Sequence, residues 1–113
     1  MILRDIRYAV KLTFFRDEKT FGPGVAKLME LVDEKGSMAE ACREMGMAYS
    51  KAWKIVRRAE ADFGFELMSG ERGGRNGGRM VLTDEGKDLL SRYRAMEREL
   101  RSSADGLFKK YFG

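Results

Sequence analysis

The fourteen residues from Gly46 to Ala59 carry Lys51, Lys54, Arg57 and Arg58 and no acidic residue. Tyr49 and Ser50 stand directly before the first of these cations. Lysine and arginine neutralise phosphates and can pair with O6 and N7 of guanine, while tyrosine and serine hydroxyls hydrogen-bond to phosphate or base edges. A second group, Arg72, Arg75 and Arg79, is spaced through the stretch Gly70-Glu71-Arg72-Gly73-Gly74-Arg75-Asn76-Gly77-Gly78 and the residue after it. The formal net charge is only +4, from 22 Lys+Arg against 18 Asp+Glu. The acids gather elsewhere: Glu30, Asp33, Glu34, Glu40 and Glu44 come before the basic segment, and Asp84, Glu85 and Asp88 come well after it. An ordinary amphipathic helix with a solvated basic face would carry similar cations. The absence of every acid from this segment favours a polyanionic partner, double-stranded DNA.

Other chemistries find little support. The chain has no histidine, which removes the commonest general base, the commonest metal ligand and every Ser-His or Cys-His nucleophile. Cys42 is the only cysteine, so there is no intramolecular disulfide framework, and its position on an apolar helix face marks it as a small core residue. The glycines could cradle a nucleotide phosphate, but no Lys-Ser or Lys-Thr follows them, and they lead into a strand rather than a helix. No enzymatic activity, metal or cofactor is expected.

The elements that must position the basic side chains can be read from periodicity and punctuation. Gly22-Pro23-Gly24 breaks the backbone and opens a helix over 23–35, where Val25, Leu28, Met29 and Val32 share one face. Gly36 ends it. Ser37 with Glu40 three residues on is a capping box for a second helix, whose apolar face is Met38, Ala41, Cys42 and Met45. Gly46 closes this helix after roughly two turns. A third helix over 49–63 buries Ala52, Val56, Ala59 and Phe63. It turns Tyr49, Ser50, Lys54 and Arg57 outward, with Lys51 and Arg58 at the flanks. Two helices joined by a short turn containing glycine form the helix-turn-helix pattern, in which the second helix enters the major groove. Trp53 on the outer side could touch a thymine methyl or a sugar; packing beneath the following loop is the favoured reading.

Ile6, Tyr8, Val10, Leu12 and Phe14 alternate with Arg7, Ala9, Lys11 and Thr13, the pattern of a strand with one buried face. Asp17-Glu18-Lys19 is a turn, and Thr20-Phe21 a short return strand. Leu67-Met68-Ser69 and Arg79-Met80-Val81-Leu82 flank the glycine stretch as a hairpin. Its tip can lay Arg72 and Arg75 against the backbone or a narrow minor groove, as the wing of a winged helix does; a hairpin tip without function is the other reading. Thr83 caps a long last helix with Asp84 and Glu85 in its first turn. Leu89, Tyr93, Met96, Leu100, Ser103 and Leu107 step by 4, 3, 4, 3, 4 along it, a heptad seam suited to pairing with a second copy.

The segment Gly36-Ser-Met-Ala-Glu-Ala-Cys-Arg-Glu-Met-Gly-Met-Ala-Tyr-Ser-Lys-Ala-Trp53, the loop Glu71-Arg-Gly-Gly-Arg-Asn-Gly-Gly78 and Leu82-Thr-Asp-Glu-Gly86 together resemble the N-terminal domain of molybdate-responsive ModE-type regulators. More distantly they resemble the LysR-type winged helix. The likeness covers roughly Phe21 to Tyr93. It implies a dimer, with the recognition helix near residues 49–58, the wing near 70–78, and the last helix as the interface. The chain departs from the family at Ala48, where serine is usual. It also ends at Gly113, where full-length members continue into an oxyanion-binding domain, so molybdate sensing is not carried over and no small-molecule effector is expected.

The expected architecture is a single α+β, mainly α, winged helix domain over 1–113. Its parts are a strand or hairpin over 1–22, helix-turn-helix plus wing over 23–82, and a dimerisation helix over 83–110. The DNA-contacting set is Tyr49, Ser50, Lys51, Lys54, Arg57, Arg72, Arg75 and Arg79; the dimer interface is Leu89, Tyr93, Met96, Leu100 and Leu107. The expected function is a homodimeric transcriptional regulator reading a pseudo-palindromic site. Two alternatives are an architectural protein that binds DNA without regard to sequence and a winged helix that binds protein instead. No run approaches the roughly 20 apolar residues a membrane span needs, and the opening Met-Ile-Leu-Arg-Asp-Ile-Arg lacks a signal peptide's apolar core, so the expected location is the cytoplasm.

Overall fold

Local sequence sets the helix boundaries before any tertiary contact is considered. In a computed structural model, which describes residues 3–71 and 79–113, the first helix, α1, spans Pro23–Lys35. Proline suits its first turn because the N–H it lacks would have had no intrahelical partner. The second, α2 (Met38–Met45), begins at Ser37, whose Oγ accepts from the Glu40 amide at 3.1 Å. Gly46 follows at φ 66°, a left-handed conformation that a side chain would strain. There the Met47 amide donates to the Cys42 carbonyl at 2.9 Å, and the chain reverses within three residues into α3 (Tyr49–Phe63).

Two antiparallel hairpins flank this core. One pairs β1 (Phe14–Phe15) with β2 (Lys19–Phe21); the other pairs β3 (Met68–Glu71) with β4 (Arg79–Leu82), in the register Met68↔Leu82 and Glu71↔Arg79. The second hairpin is anchored through β4, where the Met80 amide donates to the Gly36 carbonyl at 3.0 Å. The strand expected from Ile6 is cut to its last residues. With only three residues in β2 there is no partner backbone for a longer ladder, and residues 6–13 adopt no strand. Tyr8 instead stacks on Phe108 of the last helix at 4.9 Å and donates its hydroxyl proton to Asp105.

That last helix, α4, spans Asp84–Phe112, two residues beyond its expected end. Thr83 caps it by accepting from the Gly86 amide at 2.9 Å. A Cβ on Gly86 would lie 2.2 Å from the Leu67 carbonyl oxygen, so the start of α4 comes against β3 only because this residue is glycine. Phe21, Leu28, Met29, Val32, Val56, Leu67 and Met68 are fully buried between α1, α2, α3 and the hairpins, and Cys42 lies among them. Burial pushes the Cys42 thiol's pKa up, since a thiolate would lose its water there. Arg94 ties α4 to α1 through a two-pronged contact with Glu30 (2.6 and 3.1 Å) and also reaches Glu97 at 2.7 Å. The Glu30 hydrogen bonds raise the guanidinium's already high pKa further.

Tyr93 leaves the expected seam. It is 1% exposed, its ring packs edge-on against Phe14 and Phe21, and its hydroxyl donates to the Leu12 carbonyl at 2.8 Å. The heptad count placed it with Met96 and Leu100, but the intramolecular face of α4 is rotated toward Gly86, Tyr93 and Glu97, all buried. Leu89 also packs partly on the core. Met96, Leu100 and Leu107 stay exposed, joined by Tyr111.

Candidate nucleic-acid interface

The outer face of α3 follows from its inner one. Burying Ala52, Val56, Ala59 and Glu60 against the core turns Ser50, Lys54 and Arg57 to the opposite side of a 3.6-residue period. Ser50, Lys51, Lys54 and Arg57 are all exposed, as is Tyr49. Ala48 is the cap residue of α3 and supplies no side-chain hydrogen bond. Among the described residues Lys51 and Lys54 form no ion pair, so no carboxylate holds either side chain at the surface.

The arginines are held differently. Arg57 lies over the Trp53 ring at 4.6 Å and places Nη1 2.7 Å from Glu60 Oε1. Glu60 is 8% exposed and with its other oxygen accepts from the Leu67 amide at 2.8 Å, bracing α3 against β3. Trp53 is half-buried, edge-on to Tyr49 at 6.4 Å, so it serves as a shelf for Arg57. Arg58 pairs with Glu18 at 2.8 Å and lies 3.7 Å from Asp62. Thr20 also donates to Asp62, at 2.6 Å, which stitches the first hairpin to the far half of α3. Acids missing from the segment itself thus reach into it from both sides.

Arg79, at the loop end of the second hairpin, directs Nη2 to the Asp33 carbonyl at 3.3 Å, near the end of α1. Its side chain covers Gly36, where a Cβ would meet it at 2.7 Å. Arg72 and Arg75 lie outside the described residues.

Sequence reasoning brought Ser50, Lys51, Lys54 and Arg57 correctly onto one helix and missed Glu60, Glu18 and Lys19. Glu60 had a signal, since it follows Arg57 by three positions, the spacing at which helical side chains meet. Glu18 and Lys19 had none, because it is the hairpin that brings Glu18 to Arg58 and Lys19 to the flank of α3 that carries Lys51 and Lys54.

A helix ending in left-handed glycine, a three-residue turn and a second helix with a cationic outer face, followed by an antiparallel hairpin, is the geometry of a winged helix. The family of bacterial regulatory helix-turn-helix proteins of the lysR type matches residues 26–87, from within α1 to the first turn of α4. The chain belongs to that family. That family is one of bacterial regulatory proteins, and the match takes in the helix-turn-helix and the hairpin after it. Among curated relatives, the LysR-type chain is 31% identical over 84 residues to the molybdenum transport protein ModE of Azotobacter vinelandii, a match covering 74% of this chain and 31% of that one. It is also 32% and 30% identical to the molybdenum-pterin-binding proteins MopA and MopB of Rhodobacter capsulatus, over 63% and 82% of this chain and 27% and 34% of theirs. The LysR-type chain thus spans about a third of the length of these relatives. Among the described residues no helix is long and apolar enough to cross a membrane.

Proposed function

We propose that this protein acts in the cytoplasm as a homodimer that reads a pseudo-palindromic duplex site, with α3 in the major groove and the hairpin beside it on the backbone or minor groove. The observation that carries the reading is the exposed row Ser50, Lys51, Lys54 and Arg57 on the helix that follows the Gly46 turn. Lys51 and Lys54 are the freest to reach phosphate or guanine. Arg57 is pre-positioned by Trp53 and Glu60, and Arg79 ties the loop end of the hairpin to the end of α1. Dimerisation draws support from Met96, Leu100 and Leu107, an exposed apolar stripe of a kind monomers keep small. Two recognition helices on one face of the duplex would then be spaced by about one helical turn, ~34 Å, or a multiple of it.

The test is to select bound fragments from the source genome and measure affinity for the recovered site against random duplex. A specific regulator should prefer its site by about 10³ or more, with affinity falling steeply in salt as counterions are released. Equal affinity for both would leave an architectural protein, and no binding at low salt would leave a protein-interaction module.

A further inference from the structure

A groove of about 600 Å³ lies on the flank of α3, between the first hairpin, the start of α1 and the helix-turn-helix turn. Its volume falls within the range of roughly 300–1,000 Å³ typical of small-molecule sites. The half-buried Met47 and Ile55 give it apolar surface, over a floor of the buried Val25 and Leu28. Thr20, Gly24 and the cations Lys19, Lys51, Lys54 and Arg58 complete the lining. Arg58 is already paired with Glu18; among the described residues the three lysines form no ion pair. Among the described residues no acid lines the groove; Glu18 and Asp62 hold Arg58 and Thr20 from outside it. An apolar trough with three uncompensated ammonium groups is complementary to a molecule with a hydrocarbon or aryl body and one anionic end. A bare phosphate or oxyanion would leave the trough wet, and a neutral hydrocarbon would leave the lysines unanswered.

We infer that this groove binds a small amphiphilic carboxylate, and that its occupation competes with DNA because Lys51 and Lys54 border the groove and also lie on the exposed face of α3. The second half of the statement rests on the DNA reading above; the first does not. The carboxylate pairs with Lys19, Lys51 and Lys54, and the tail lies against Met47 and Ile55. Each methylene buried there raises affinity by about fourfold, so a chain of medium length should bind measurably and a two-carbon acid should not.

Gly24 makes the site testable without disturbing the fold. It lines the groove, and a Cβ built on it meets nothing within 4 Å. Gly24→Phe would therefore place its ring in the trough while leaving the core untouched. The experiment titrates DNA-free protein with decanoate, decanol and acetate by calorimetry, follows the Gly24 and Ile55 amides by NMR, and checks each variant's thermal unfolding. Decanoate is expected to bind one to one and to move both amides, with decanol and acetate weaker by about tenfold or more. Gly24→Phe should lose decanoate by a similar factor at unchanged melting temperature, and Lys19→Gln should weaken it several-fold. Decanol as tight as decanoate would overturn the cationic half of the site. Full affinity in Gly24→Phe would move binding elsewhere, the exposed face of α4 being the first place to look. The competition is read separately, as duplex affinity with and without saturating decanoate. A fall of about fivefold or more is expected, and no fall, with decanoate demonstrably bound, would refute the coupling while leaving the site itself standing.

Discussion

The Arg57 guanidinium lies 2.7 Å from the Glu60 carboxylate, and Glu60 in turn holds the Leu67 amide. A residue on the outer face of α3 is thereby linked through a buried acid to the residue that opens the second hairpin. Arg57 and Lys54 should consequently respond differently to removal. Lys54→Ala should leave thermal stability unchanged and weaken operator binding by about 1–3 kcal/mol if the side chain reaches a base edge. Arg57→Ala should lower stability by about 1 kcal/mol as well, because it takes away the cation over Trp53 and the partner of Glu60. Melting curves set beside anisotropy titrations would separate the two; an Arg57 variant of wild-type stability would show the contact to be surface ornament.

Gly86 faces the Leu67 carbonyl so closely that a methyl group there would sit 2.2 Å from the oxygen. Because the obstacle is backbone, relief requires α4 or β3 to shift. Gly86→Ala should cost about 1–3 kcal/mol as an overpacked contact, against the gain alanine would bring inside an unhindered helix. Chemical denaturation gives the sign directly, and a stabilised variant would mean that α4 packs less tightly than described.

Cys42 offers a check on the core. Its thiol is buried and its pKa is raised by that burial. A group with a raised folded-state pKa favours the fold while protonated, so the contribution is intact below the ordinary thiol pKa and fades as pH rises through the raised value. At neutral pH alkylation should be much slower in native protein than in denaturant, and it should accelerate with pH less than an exposed thiol does. Rapid native labelling would contradict the packing of α2 on α1.

Helices could be read from the chain because their signals are local. Pro23, Ser37, Gly46 and Thr83 each satisfy or end a helix by contacts within a few residues, and α1 and α3 begin and end where periodicity put them. Residues 6–13 show where that logic fails. Alternation describes which side chains could be buried, not whether a second strand exists to pair with them, and Ile6, Tyr8 and Val10 remain exposed. The site was legible in the same measure. Spacing placed Ser50, Lys54 and Arg57 on one face and put Asp62 four residues from Arg58, yet the neutralising acid Glu18 and the groove lysine Lys19 are brought to α3 by long-range packing that spacing cannot see.

The seam on α4 is the sharpest case, because Tyr93 and Leu100 fit the same heptad count and have opposite surroundings. Tyr93 is buried in its own protomer, while Leu100 lies on the exposed stripe with Met96 and Leu107. Tyr93→Phe removes only the hydroxyl's bond to the Leu12 carbonyl, so it should cost about 1 kcal/mol of stability and leave the molecular mass in solution unchanged. Leu100→Asp should do the reverse. Its charge meets water in the monomer, which stays folded, but would be buried without a partner where two α4 helices pack. Light scattering should then report monomers, circular dichroism an unchanged helix content, and gel shift the loss of most operator affinity, since a lone recognition helix reads half a site. Wild-type protein that is monomeric at micromolar concentration, or a monomeric Leu100→Asp variant that binds as tightly as wild type, would refute the two-fold arrangement. A Leu100→Asp variant that fails to fold would instead place Leu100 inside the protomer's own core, against its exposure here.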